Sequence, residues 1–228
     1  MTVHDTARLL PAVPELRDHC RALAMLEAIL SPPWENRYYS FDAHWSDTEE
    51  MASMSNGCGD EYAIVFSPNG AYVRGFAHES RMSPYADDAP WPGVLDDVPA
   101  AFRPCVDEPA FCDEDGMPVV TACLWREPAD TAWRTGTAIE FPDSPDGDPD
   151  GAALLFPLLT DRGADAYRAF AEDYYDVPVA PDAVRHVLAL RPLTSAVVSA
   201  LNPDLGIAEL TDDITSIGYP RASGEPAP

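Results

Sequence analysis

Hydrophobic and polar positions alternate most clearly between Glu61 and Phe76. Tyr62, Ile64 and Phe66 fall on one face of a first arm, Glu-Tyr-Ala-Ile-Val-Phe, and a second arm, Ala-Tyr-Val-Arg-Gly-Phe, follows Ser67, Pro68, Asn69 and Gly70. A period of two in β-branched and aromatic residues is a strand signal. Ser, Pro and Gly at the first, second and fourth positions of the connection suit a type I turn. This stretch predicts a β-hairpin.

Upstream, Leu16, Cys20, Leu23, Leu26, Ala28 and Ile29 recur at helical spacing from Pro14 until Ser31-Pro32-Pro33 stops the run, which predicts a helix. Residues 3–13 give no clear signal, because Pro11 and Pro14 interrupt them. Residues 36–45 read as a strand with Tyr39, Phe41 and Ala43 on one side, 46–50 as a turn, 51–54 as a second short strand, and Asn56-Gly57-Cys58-Gly59-Asp60 as a loop.

Downstream of the hairpin, residues 77–93 and 107–115 read as loop. Val94, Leu95, Val98, Phe102 and Val106 mark a short amphipathic helix or, given Pro99 and Pro104, two short turns. A second hairpin is expected, with arms at 119–126 and 132–141 and with Trp125 and Trp133 close across the bend at 127–131. The Asp- and Pro-rich run 142–151 reads as a solvated boundary. Helices are expected at 152–159, 164–175, 181–190, 194–201 and 207–217, with Asp182 and Thr194 near helix starts and Gly218 as a stop. Residues 221–228 have the composition of a frayed tail. The expected fold class is α+β: an antiparallel sheet built on two hairpins, flanked by an N-terminal helix and a helical C-terminal region. One domain is expected over residues 1–228, sheet-rich at 34–142 and helical at 151–218.

Charge narrows the functional classes. The chain carries 39 acidic residues against 14 basic ones, all arginine, for a formal net charge of -25. Such a balance fits a GC-rich genome or a salt-loaded cytoplasm, and it also fits long-range attraction of a basic partner. Nucleic acid and anionic membranes would be repelled. Hydrophobic residues make up 46% of the chain, enough for a core and too many for a disordered chain. No signal peptide or membrane-length apolar run is read from the sequence, so the expected location is the cytoplasm. Cys20, Cys58, Cys105, Cys112 and Cys123 are odd in number and contain no Cys-x-x-Cys pair, which argues against a complete disulfide framework or a zinc site.

The candidate chemistry is sparse. Asp146, Asp148, Asp150 and Gly151 match the first half of a calcium loop, but Pro149 and Pro157 stand at its fourth and twelfth positions, and no metal is expected. His78 and Glu79 follow the second arm of the hairpin, where an imidazole beside a carboxylate suits acid–base work. Cys58 lies in a glycine-rich loop, with His44 and His78 as potential bases. With no lysine, a lysine-dependent phosphate loop is excluded. The dinucleotide, zinc-protease and serine-hydrolase motifs are absent from the sequence. No cofactor is expected.

Met51-Ala-Ser-Met54, Gly57-Cys-Gly-Asp-Glu-Tyr62, Gly75-Phe-Ala-His-Glu-Ser80 with Met82-Ser-Pro-Tyr85, Trp91-Pro-Gly-Val-Leu95, Glu108-Pro-Ala-Phe111 and Leu201-Asn-Pro203 with Ile217-Gly-Tyr-Pro220 run through most of the chain. In these segments it resembles an uncharacterised family of bacterial cytosolic proteins with no assigned activity. The resemblance implies a reusable bacterial module and brings no catalytic residues.

The functional expectation is a non-enzymatic acidic interaction protein, in its most concrete form an immunity- or antitoxin-like protein bound to a basic protein. Its expected surface joins Trp45, Asp60, Glu61, Tyr85 and Trp91. One alternative is a small hydrolase or transferase using Cys58, His78 and Glu79. Another is a structural component of a larger assembly.

Overall fold

Two helices lead the chain in the computed structural model, which describes residues 1–221: α1 (Val3–Leu9) and α2 (Val13–Leu30). The prolines that obscured α1 in the sequence punctuate it instead. Pro11 lies between the helices, and Pro14 occupies the first turn of α2, where a missing amide costs nothing. From Ala22 to Ile29 every residue of α2 is buried. The helix packs on the sheet and on helices of the C-terminal region, so this half is enclosed rather than amphipathic.

The sheet has five antiparallel strands in sequence order: β1 (Tyr39–Asp42), β2 (Glu50–Ser55), β3 (Glu61–Ser67), β4 (Gly70–Phe76) and β5 (Ala122–Arg126). The hairpin predicted first is β3–β4, in register from Glu61–Phe76 to Ser67–Gly70. Tyr39, Phe41, Ala52, Met54, Tyr62, Ile64, Phe66 and Val73 lie in the main core with α2. The excursion between β4 and β5 covers part of the opposite face. Ala63 and Val65 pack on Phe111, Tyr72 meets Phe102 with ring centroids 6.2 Å apart, and the Arg74 guanidinium lies 5.7 Å from the Phe111 ring. Within it, residues 94–106 resolve as two short turns, a 3₁₀ turn Ala100–Phe102 and the helix α3 (Arg103–Val106).

The second hairpin turns back where expected, but its return arm pairs with β5 only at the Trp125–Arg134 bridge. Beyond that point main-chain pairing stops and side-chain bonds hold the arm. Thr135 Oγ1 donates to the Cys123 carbonyl, His4 Nε2 meets the Gly136 carbonyl at 3.0 Å, and Thr137 donates to Asp97. Trp125 and Trp133 are both buried in the core, and no ring pairing between them is found among the described residues. The Trp133 indole donates to the Pro11 carbonyl at 2.6 Å.

The run 142–151 is not a solvated linker throughout. Asp150 is fully buried and accepts from the amides of Val3 (2.7 Å) and Ala152 (3.1 Å), while its carbonyl accepts from Thr121. The helical region follows as α4 (Ala152–Leu155), α5 (Pro157–Thr160), α6 (Ala164–Tyr175), α7 (Pro181–Leu188), α8 (Ser195–Leu201) and α9 (Thr211–Ile217). Pro157 splits the first expected helix in two. Thr194 caps α8 by accepting from the Val197 amide, whereas Asp182 pairs with Arg185 inside α7. The last helix opens as a 3₁₀ turn, Ile207–Leu210, and α9 stops at Gly218, whose φ is +68°. The frayed tail expected over 221–228 lies, from residue 222, outside the described residues. No helix among the described residues is long and apolar enough to cross a membrane.

Candidate functional site

The glycine-rich loop before β3 is shaped by Asn56. Its Oδ1 accepts the amides of Cys58 (2.8 Å) and Asp60 (3.1 Å), and its Nδ2 donates to Asp60 Oδ2 at 2.6 Å. Asp60 is thereby fixed facing the end of β4. Its Oδ1 accepts the His78 amide and meets His78 Nδ1, both at 2.9 Å. On the other side of the ring, Nε2 lies 3.3 Å from Glu79 Oε1. The hydrogen bond to Asp60, with the charges of Asp60 and Glu79, raises the imidazole above its ordinary pKa against a desolvation that lowers it. Burial pushes the Asp60 carboxyl up, but the hydrogen bonds from His78 and Asn56 outweigh it and hold the group below the usual range.

This arrangement works as a hydrogen-bonded clasp joining the loop to the strand end. Both imidazole nitrogens face carboxylates, and among the described residues neither makes a hydrogen bond to a thiol. Cys58 is exposed and, among the described residues, its thiol makes no hydrogen bond. The adjoining cleft of about 330 Å³ is lined by Asp60, Glu79, Ser80, Arg81, Asp146 and Asp148 among others, and by neither Cys58 nor His78. The acids of the calcium-like run are engaged elsewhere. Asp148 accepts the amides of Ala153 and Leu154, Asp146 accepts from Ser144, and Asp150 is buried as described.

The expected docking residues do not share one face. Glu61 is paired with Arg74 at 2.6 Å, and Asp60 is held in the clasp. Tyr85 is 56% exposed and stands edge-on to Phe76, with centroids 5.7 Å apart, near the same sheet end. Trp91 is half-buried and donates to the Glu140 carbonyl. Trp45 sits at the opposite end, beyond the Asp42–Met51 pair.

There Trp45 lines a cleft of about 430 Å³ with Trp34, Arg37, Ser40, Phe41, Asp42, Met51 and Asp213 among others. Trp34 was missed in the sequence, where Pro32-Pro33 reads only as a helix stop. It is 69% exposed, the most exposed of the large hydrophobic side chains. Its 3₁₀ turn is nevertheless rigidly tied. Arg37 reaches back to the carbonyls of Ser31 and Pro32 and pairs with Asp213 at 2.5 Å. An exposed indole on a pinned turn is preorganised for stacking or cation–π contact.

Glu27 is a second residue that the pattern concealed. It is fully buried, accepts Tyr167 Oη at 2.8 Å and the Tyr38 amide at 2.9 Å, and also accepts Tyr175 Oη. Burial pushes its pKa up, against the lowering effect of those bonds. Its signal was an acid standing four residues after Leu23 on the apolar stripe. Comparison of the chain with family models, curated proteins and solved structures found no match in any of the three.

Proposed function

We propose that this chain is a non-enzymatic acidic protein that binds a basic protein partner, most concretely an immunity- or antitoxin-like protein that covers a basic domain. The observation that carries this reading is the placement of the acid excess. Among the described residues only Glu27, Asp60 and Asp150 are buried acids, so nearly all the negative charge lies outside the core, and the chain's 14 arginines, Arg74 among them buried, are too few to neutralise it. Such a surface raises the encounter rate with cationic proteins and disfavours anionic ones. The exposed Cys58 thiol, which makes no hydrogen bond to His78 among the described residues and does not line the adjoining cleft, supports binding over a Cys58-dependent hydrolase or transferase.

The test is affinity capture from the native host across a salt gradient, with the full chain as bait. Recovery of a basic protein whose retention falls steeply with salt is expected. Recovery of no basic partner, or of one indifferent to salt, overturns the reading.

A further inference from the structure

The cleft beside Trp34 reaches the β1 edge of the sheet, with Asp213, Ser216 and Ile217 of α9 on one side and Met51 and Ser53 of β2 on the other. Ser55 donates its amide to the Tyr38 carbonyl at 3.0 Å, so the even-numbered residues of this register direct their main-chain groups toward β2. The odd-numbered ones point away. Ala43 accordingly donates to the Ser216 carbonyl at 2.7 Å. Two residues before it, the amide and carbonyl of Phe41 face outward with no hydrogen-bond partner among the described residues. Ser40, Phe41 and Asp42 all line the cleft, as expected where a strand shows its edge.

An open edge strand is a template for another chain, and main-chain pairing with a pocket for side chains is an established mode of peptide recognition. Charge selects the occupant. A second copy would bring another net charge of -25 against this edge, which opposes pairing. Asp42 lines the cleft and Glu35 follows Trp34, while the cleft's arginine, Arg37, is already engaged by Asp213.

We propose that the groove along β1 takes an extended, arginine- or lysine-bearing segment of a partner protein, which exchanges two main-chain hydrogen bonds with Phe41 and lays a cationic side chain on Trp34. This deepens the reading of the chain as a binder of basic proteins and rests on it. The segment enters past Trp34 and crosses the edge at Phe41, between the Arg37–Asp213 pair and the Ala43–Ser216 bond.

The probe is a short blocked peptide alternating arginine and valine, titrated calorimetrically into the full chain at low salt, with amide hydrogen exchange followed at β1. Its comparators are the same peptide N-methylated at alternate residues and a version with glutamate for arginine. Binding of the first peptide with new protection at Phe41 is expected, with no binding of the glutamate peptide and loss of the Phe41 protection on N-methylation. Trp34→Ala, at an exposed position, should keep the circular dichroism spectrum and weaken binding about threefold. Equal binding by both proteins with no protection at β1 overturns the groove and leaves the wider reading standing. Failure of every cationic probe to bind at low salt overturns both. Self-association that protects Phe41 without peptide assigns the edge to a second copy and overturns the proposal.

Discussion

Glu27 shows how one residue can act against the pattern that surrounds it. Its carboxylate joins α2 to the residue before β1 through the Tyr38 amide and to α6 through the hydroxyls of Tyr167 and Tyr175. Replacing it leaves those donors facing an apolar gap, and each orphaned buried group costs about 1–3 kcal/mol. Glu27→Ala is therefore expected to lose about 2–4 kcal/mol in urea unfolding; a loss within error of zero would show that the hydroxyls are not held by this carboxylate. The clasp at His78 makes a separate residue-level prediction. Asp60→Asn removes the main cause of the raised imidazole pKa, so an NMR titration of His78 should move down toward 6.5. In the same experiment the alkylation rate of Cys58 should be indifferent to His78→Ala. A slowed rate would mean that the imidazole activates the thiol and would revive the catalytic alternative. The sign of the clasp's contribution follows from the two shifts. His78 adds stability that is complete below its unfolded value of 6.5 and is lost as pH rises through its raised folded value. Asp60 adds stability above 3.8 that is lost as pH falls through its lowered one.

At the scale of elements, local signals were legible wherever one periodicity dominated. The β3–β4 hairpin and α2 appear where turn chemistry and apolar spacing placed them. The short strands β1 and β2 lie within the stretches read as strands, and they pair with each other. What stayed hidden depended on distant partners. The return arm after β5 has strand-like composition, yet Thr135 meets Cys123 of β5 only through its hydroxyl, while Gly136 and Thr137 are drawn off by His4 and Asp97, and no local pattern encodes those bonds. The acidic run 142–151 looked solvated because its buried member, Asp150, is satisfied by the amide of Val3, 147 residues away in sequence. The site was less legible still. The His78–Glu79 contact came from adjacent residues, but the partner that controls the imidazole, Asp60, was read as a docking residue. Gly75 illustrates the same dependence. A Cβ there would lie 2.7 Å from Phe156 Cζ and 2.9 Å from Leu155 Cδ1, so the α4–α5 corner can approach β4 only over a bare backbone. Gly75→Ala should cost about 1–3 kcal/mol by overpacking. Chemical denaturation measures it, and an unchanged midpoint would mean that the corner shifts freely.

For the whole molecule, burial sets two titrations against each other across the fold. Desolvation raises Asp150 from 3.8 to about 6 and lowers His19, whose ring meets the Leu158 carbonyl at 2.8 Å, from 6.5 to about 4. Above pH 6 the buried Asp150 carboxylate carries its full penalty. As pH falls from 6 to 3.8 the folded state takes up the proton first, and stability rises by roughly 3 kcal/mol at about 1.4 kcal/mol per unit. His19 does the reverse. Between 6.5 and 4 the unfolded chain takes up the proton first, so stability falls by a similar amount, roughly 3 kcal/mol. The two windows nearly coincide, so these contributions largely cancel in the native protein. Single variants should uncover them. His19→Gln should gain stability as pH is lowered from 6.5 toward 4, whereas Asp150→Asn should lose it, with urea midpoints at fixed ionic strength as the measurement. Glu27, also raised by burial, works in the same direction as Asp150, and relief of the net charge of -25 adds to it. The His19→Gln slope should therefore be the steeper of the two. Parallel pH curves for the native protein and both variants would refute the account, because they would mean that neither group changes its proton affinity on folding.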